Sequence, residues 1–420
     1  MKHLLLFLLA VSVATAAPQK PNIIMILSDD VGLGDIGACG GPFKTPHIDA
    51  MAKDGLRFSQ CYAMPLCGPT RCVTLTGRYP FRTGLVSNHD HNAIDPKREV
   101  MIPTVMKQAG YVTGSCGKWG QMCFGPGEWG FDEYLVFPGS GRYWREQTTH
   151  YTVNGQQHNL PAGQYLPDIM HQFVVNFVTK HKDQPFFLYY PMSHIHGPIV
   201  HTPDSKPGAG KDRLYADNIE YMDKLVGKLM AELDRLGLRE KTLVLFAGDN
   251  GTAHFGVEKA TVNGRSISGR KGTMLEGGSR VPLICNWPGV TPTGKVSNDL
   301  IDFTDFFTTF ADLGGAKLPE GVKLDGHSFA PQLRGEKGEP RDWIYVQLSG
   351  KWYVRDQGFK LTQNGELFDM ANAPFIEKPA TDDAEKAKLQ AILNQLNPTG
   401  GKAIGTDTKH GKAGKKRKNL

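Results

Sequence analysis

After its first seventeen residues this 420-residue chain has no apolar run long enough to span a bilayer, which excludes a protein threaded repeatedly through a membrane. The opening run, MKHLLLFLLAVSVATAA, has a basic start, an apolar stretch and a small-residue exit at Ala14, Thr15 and Ala16. That is the layout of a cleaved secretory signal, so the expectation is an exported, secreted or periplasmic protein with no transmembrane segment. The chain also has little charge of its own. Its formal +6 equals the surplus on residues 401–420, where seven Lys or Arg stand against one acid, Asp407. A neutral body with a basic end is not built to grip nucleic acid. The Gly- and Lys-rich tail is expected to be disordered, either a solvated end or a tether for anionic polysaccharide. Cysteine is scarce and odd in number: seven residues, at 39, 61, 67, 72, 116, 123 and 285. In an oxidising compartment six can pair and leave one for chemistry, but the count names neither the pairs nor the odd one. No internal repeat is present, and 40% apolar with 21% charged residues describes an ordinary globular protein.

What is there begins with apolar runs that stop at polar residues. NIIMILSDD (22–30) ends on two aspartates, PFFLYYPMSHIHGP (185–198) on histidines, and TLVLFAGDNG (242–251) on Asp249 and Asn250. Between them lie helical stretches such as 211–236, where Leu214, Met222, Leu225, Val226, Leu229, Leu233 and Leu236 recur at helical spacing. Strands alternating with helices predict an α/β sheet covered by helices on both faces, and such sheets bind ligands beyond the carboxyl ends of their strands. From about residue 336 the texture changes to short strands joined by glycine turns (342–370) and then a helix with Ala384, Ala387, Leu389, Ile392, Leu393 and Leu396 on its apolar side. The expected division is a signal at 1–17, a catalytic unit at 18–335, a small antiparallel-sheet-plus-helix unit at 336–400 and the tail at 401–420.

The densest chemical signal is Cys67-Gly68-Pro69-Thr70-Arg71, continuing to Leu75, Thr76, Gly77 and Arg78. Pro69 suits the first position of a helix, where its missing N–H costs nothing. Cys67 then sits just ahead of a helix N-terminus, where the dipole favours an anion, and Arg71 one turn on can hold a charged oxygen. A disulfide cysteine before a helix is the bland alternative for the motif taken alone. This run resembles the signature of the formylglycine-dependent sulfatases, C-x-P-S/T-R followed by T-G-R, and further blocks occur in that family's order from Asn22 to Met370. The resemblance implies an alkaline-phosphatase-like fold, a large mixed sheet between helices with a small C-terminal antiparallel sheet. It also implies that a separate formylglycine-generating, sulfatase-maturing enzyme oxidises Cys67 to an aldehyde whose hydrate attacks a sulfate ester.

Asp29 and Asp30 at one strand end, with Asp249 and Asn250 at another, are hard oxygen ligands suited to Ca²⁺, with Mg²⁺ second, rather than to zinc. Adjacent carboxylates repel unless a cation neutralises them, although solvated loop acids are the plain alternative for either pair alone. The resemblance assigns these four residues and the modified Cys67 to one Ca²⁺; on that assignment the Asn250-Gly251-Thr252 glycosylation sequon is accidental. Lys118 lies in GYVTGSCGKWG and Lys271 in GRKGTMLEGGSRVP, blocks resembling those that bind substrate in the family. Two fixed ammonium groups suit the charge that develops on a sulfate ester. His196 matches the family's H-x-P histidine and is placed to protonate the leaving oxygen, with His194 as the neighbouring alternative.

One position departs from the pattern. Many relatives read G-K-W-H where this chain has Gly120, and that histidine contacts the formylglycine and helps expel sulfate. Gln121, His47 and His194 are the candidates to replace it, with Asp249 and water as the other route. Phosphomonoester or phosphonate hydrolysis uses the same fold and nucleophile type, and a sulfated-glycan binding protein without turnover is the reading from another class. Segments 86–100, 138–165 and 199–212 are the expected rim, where Tyr143, Trp144 and Tyr151 either stack on sugar rings or pack inside.

Overall fold

The structure is a computed structural model describing residues 20–120 and 122–400. The expected signal, the basic tail and Gln121 lie outside the described residues. Strands β1 (Asn22–Ser28), β2 (Leu56–Tyr62), β3 (Val112–Lys118), β4 (Glu133–Phe137), β5 (His150–Val153), β6 (Gln156–Asn159), β7 (Phe186–Pro191) and β8 (Thr242–Gly248) precede a short hairpin, β9 (Thr261–Val262) and β10 (Arg265–Ser266). β11 (Arg280–Asn286) and β12 (Lys295–Asp302) complete a ten-stranded sheet in the order β12-β2-β11-β8-β1-β7-β3-β4-β5-β6. Its centre, β8-β1-β7-β3-β4, is parallel; β11 runs antiparallel to both β8 and β2, so β2 points the same way as the central five.

The central strands are unbroken apolar runs because both faces are covered. In β1, Ile23, Met25 and Leu27 enter one core and Ile24 and Ile26 the other, the period-two consequence of the pleat. Each such side chain contributes about 1.5–3 kcal/mol on burial. Helices Pro46–Lys53, Leu166–Lys180 and Lys211–Arg235 pack on one face; Cys67–Thr76, Ile102–Gln108 and Asp305–Gly314 pack on the other. The predicted helical stripe is realised, with Met222, Leu225, Val226, Leu229 and Leu233 of the long helix buried.

Five antiparallel strands, β13 (Ile344–Leu348), β14 (Lys351–Arg355), β15 (Phe359–Thr362), β16 (Leu367–Asp369) and β17 (Lys378–Pro379), form the second sheet. The helix Asp383–Leu396 lies against it, capped by Asp382, whose carboxylate accepts from the Ala384 and Glu385 N–H groups at 3.1 and 3.0 Å. Tyr79 and Phe81 join its core, and Arg355 meets Glu276 at 2.9 Å, so the small sheet is fastened to the large one.

One detail differs from expectation. The helix begins at Cys67 rather than at Pro69. All three of its first residues have N–H groups without intrahelical partners, so proline is tolerated at the third as well as the first. All seven cysteines are free, and Cys61, Cys67, Cys72, Cys116 and Cys285 are buried.

Candidate functional site

The carboxyl edge of the parallel strands collects the residues singled out above. β1 runs into Asp29 and Asp30, β8 into Asp249 and Asn250, β3 ends on Lys118, and the chain leaving β7 carries His194 and His196. β2 delivers the chain to Cys67 at the start of its helix. Backbone bonds lace these tips together. The Asp29 N–H donates to the His194 carbonyl at 2.7 Å, and the Ile195 N–H returns to the Asp29 carbonyl at 2.6 Å. The Lys271 loop is pinned at both sides, since its N–H donates to the Thr252 carbonyl at 3.0 Å and that of Gly272 to Pro65 at 2.9 Å. Gly117, before Lys118, has φ +134°, and a Cβ there would stand 1.9 Å from the Pro191 carbonyl oxygen, so β3 and β7 approach this closely only with glycine.

Three carboxylates and three cations interleave. The Arg71 guanidinium, fully buried, donates to Asp249 Oδ2 through Nη2 at 2.7 Å and Nε at 3.1 Å, and to the Lys118 carbonyl at 3.0 Å. Lys118 Nζ meets Asp29 Oδ2 at 2.7 Å, and Lys271 Nζ pairs with Asp30 Oδ1. Asp30 adopts φ +64°, which turns its N–H onto Asp249 Oδ1 at 3.0 Å and leaves its carboxylate to the Asn250 amide at 2.9 Å. Burial, then the charge of Asp29, holds the Asp249 carboxyl above the usual carboxylate range in spite of Arg71. Burial works most strongly against the Lys118 ammonium, but Asp29, Cys67 and Asp249 together outweigh it and the net shift is upward; Asp30, Asp29, Cys67 and Asp249 together do the same for Lys271.

Whether these residues suit a metal is tested by the oxygens left over. Asp29 Oδ1 and Asn250 Oδ1 are buried without any hydrogen-bond partner, a costly arrangement for a carboxylate and an amide. Ligand atoms of Asp29, Cys67 and Asp249 lie within 4.8 Å of one another, as do those of Asp29, Asp30 and His196. Carboxylate and amide oxygens are the donor set of a hard cation, and the residues fit Ca²⁺. Cys67 Sγ marks the place an oxygen would take after oxidation of that side chain.

The two histidines are in different surroundings. His194 is buried among Tyr143, Tyr165 and Tyr221, its Nε2 2.9 Å from the Tyr165 hydroxyl, and burial pushes its pKa down to about 3. It is neutral at working pH. His196 is half-buried beside Asp29 and Asp30, and its Nδ1–H donates to the Gly197 carbonyl at 2.7 Å. A Cβ on Gly120 would lie 3.2 Å from the Gly139 carbonyl oxygen. His47 stands apart, on the helix Pro46–Lys53, with its N–H on Asp223 and its ring against Gly227.

One contact was not foreseen. The Asn88 side-chain oxygen, Oδ1, accepts the Gly68 N–H at 2.9 Å, which turns its Nδ2 toward Cys67 Sγ at 3.4 Å. Of the aromatic rim candidates, Tyr143 is buried, Trp144 packs on His201 and Tyr165, and Tyr151 stacks on His158.

Comparison with known proteins bears on what this arrangement does. The Sulfatase family model matches residues 21–316, and the model described as N-sulphoglucosamine sulphohydrolase, C-terminal, matches residues 270–397. N-acetylgalactosamine-6-sulfatase of Canis lupus familiaris is 34% identical over 389 residues, 82% of this chain and 72% of that one. Arylsulfatase A of Homo sapiens is 33% identical over 433 residues, 92% of this chain and 84% of that one. The crystal structure of Ps i-CgsB in complex with k-i-k-neocarrahexaose matches with a TM-score of 0.79 at 30% identity, covering 90% of this chain and 92% of its own. The phosphonate monoester hydrolase of Agrobacterium radiobacter, at TM-score 0.62 and 18% identity, shares the fold. A family match running from residue 21 to residue 316, carried by relatives one-third identical over most of both chains, establishes that this chain belongs to the sulfatase family, enzymes that hydrolyse sulfate esters.

Proposed function

We propose that the chain hydrolyses sulfate esters of carbohydrates outside the cytoplasm, with Cys67 oxidised to formylglycine by a maturing enzyme and one Ca²⁺ held by Asp29, Asp30, Asp249, Asn250 and the oxidised residue 67. The observation that carries the reading is the pair of buried, unpartnered oxygens, Asp29 Oδ1 and Asn250 Oδ1, in the cluster around Cys67. Once formed, formylglycine hydrate would supply an oxygen nucleophile at residue 67, and a bound calcium would supply positive charge there.

The chain's own residues do the rest. Arg71 holds Asp249 in register and stands one turn from residue 67, where the helix N-terminus favours negative charge. Lys118 and Lys271 present ammonium groups to the oxygens of the sulfate. Arg71 and Lys118, both without solvent exposure, act where water does not screen them. His196, with Nδ1–H held by Gly197, passes a proton from Nε2 to the departing alcohol. The names of the relatives support a sugar as that alcohol: one is a sulfatase of N-acetylgalactosamine, and one was crystallised with a neocarrahexaose.

Mass spectrometry of the peptide holding residue 67, from protein made in a host able to mature it, is expected to find the aldehyde. Cys67→Ala is expected to abolish hydrolysis of nitrophenyl sulfate while leaving the fold intact. An unmodified thiol in fully active enzyme, or nitrophenyl phosphate turned over faster than the sulfate, sinks the reading.

A further inference from the structure

The connection from β4 to β5, residues 138–149, leaves the carboxyl edge of the sheet beside the strand that ends in Lys118. It is braced against the loop of His196. The buried Tyr143 hydroxyl lies 2.6 Å from the His196 carbonyl oxygen and 3.0 Å from that of Ser193. Gly141, at φ +59°, passes so close that a Cβ there would stand 2.0 Å from the Gly197 carbonyl oxygen and 2.9 Å from His196 Nδ1. The same connection lines an open cleft of about 510 Å³ whose walls include Arg142, Arg145, Glu146 and His150. Arg142 donates Nε to the Pro138 carbonyl at 3.2 Å, and Arg145 donates Nη1 to the Leu160 carbonyl at 3.1 Å. Each guanidinium is thereby oriented through one N–H and keeps its other donors for a ligand. Among the described residues no carboxylate pairs with either arginine, and Glu146 offsets only one of the two charges.

We propose that this cleft is an anion subsite for a sulfate or carboxylate on the sugar next to the one whose ester is cleaved, so that the preferred substrates are glycans carrying at least two acidic groups. The proposal rests on the reading of the chain as a carbohydrate sulfatase and deepens it. Phe137, the last residue of β4, pairs with Lys118 one strand spacing (~4.8 Å) away, and the connection leads from there outward to β5. That offset suits a neighbouring sugar rather than the sulfate under attack. A guanidinium fork binds an oxyanion through paired N–H groups, which a single ammonium cannot do. Because Arg145 is exposed, the attraction is moderate and sensitive to salt.

The test compares matured native enzyme with R142A/R145A on oligosaccharides that differ only at one position of the neighbouring sugar, which carries a sulfate, a carboxylate or a neutral hydroxyl. Native enzyme is expected to favour the charged pair by kcat/KM, and the relative strength of the two distinguishes which acid the cleft takes. The double variant loses about tenfold of that ratio, an effect of the size expected for charged hydrogen bonds at a part-exposed site. R142K/R145K keeps part of it, and added salt erodes it in native enzyme. Calorimetric binding to the Cys67→Ala chain, which needs no turnover, is expected to give the same ranking. That ranking from a chain whose matured form proves inactive upholds the subsite while sinking the catalytic reading. Equal ratios in native and R142A/R145A enzyme, or no binding preference in the Cys67→Ala chain, overturn the proposal.

Discussion

Arg71→Met isolates the electrostatic problem at the heart of the site. Asp29, Asp30 and Asp249 are balanced by Arg71, Lys118 and Lys271, and Arg71 supplies two of the bonds to Asp249 with no solvent exposure. Methionine fills similar space but leaves a net negative, fully buried cluster. Removing one partner of a buried ion pair costs about 3–5 kcal/mol. Unfolding entropy of about 2.1 cal/mol/K per residue gives roughly 0.9 kcal/mol per degree for a chain of this length, so Tm should fall by about 3–6 °C. The same change strengthens the attraction of the remaining acids for a divalent ion. Native protein in a hundredfold excess of Ca²⁺ over its Kd should gain about 2.7 kcal/mol, or ~3 °C, and the variant should gain more than that at the same concentration. Calorimetric or fluorescence melting with and without Ca²⁺ reads both numbers. A variant that melts within a degree of native protein, or whose calcium gain is no larger, refutes the account of the acids as a metal cradle balanced by Arg71.

Three further outcomes are expected. His196→Ala should slow cleavage of a sugar sulfate by about 10²–10⁴-fold, but a nitrophenyl sulfate only slightly, because a good leaving group needs no proton; equal losses would remove His196 from the protonation step. Asn88→Ala should lower both kcat and stability, the latter by about 1 kcal/mol for a lost bond at the helix start, whereas Asn88→Asp, which still accepts from Gly68 but cannot donate to residue 67, should recover stability without activity; a fully active Asn88→Asp enzyme would show that the amide contact is incidental. His171 has its pKa pushed down to about 4, first by burial and then by Lys228. A base with a depressed folded pKa stabilises above its unfolded value near 6.5 and loses that contribution as pH falls toward 4, so His171→Gln should lose about 1–2 kcal/mol less than native protein between pH 7 and pH 5 in denaturant titrations. Parallel pH profiles would exclude it.

The strands and their polar ends were legible because a strand buried on both faces must be apolar throughout, so a sudden Asp-Asp or Asp-Asn can only mark its exit. That brought Asp29, Asp30, Asp249 and Asn250 to one edge from the sequence alone. The start of the helix at Cys67 was read two residues late, since proline is compatible with more than one position of the first turn. Asn88 gave no signal: a lone asparagine in a polar loop acquires its role only when the loop folds back onto Gly68. The aromatic residues at the rim illustrate a related limit. Composition cannot tell a platform from a brace, and Tyr143 is a brace, with its hydroxyl on the His196 loop. The Arg142–Arg145 cleft was equally invisible, because both charges look like solvated surface until the connection curls around them.

The position of β1 has a consequence for how the chain comes into being. The first strand among the described residues lies in the middle of the sheet, and its two neighbours, β7 and β8, begin at residues 186 and 242. A chain emerging from its N-terminus therefore cannot complete the pairing of β1 or the partners of Asp30 until more than half of it exists. No shortened form ending before Asn250 can assemble the cluster. During that interval the thiol of Cys67, buried in the folded chain, is open to reagents.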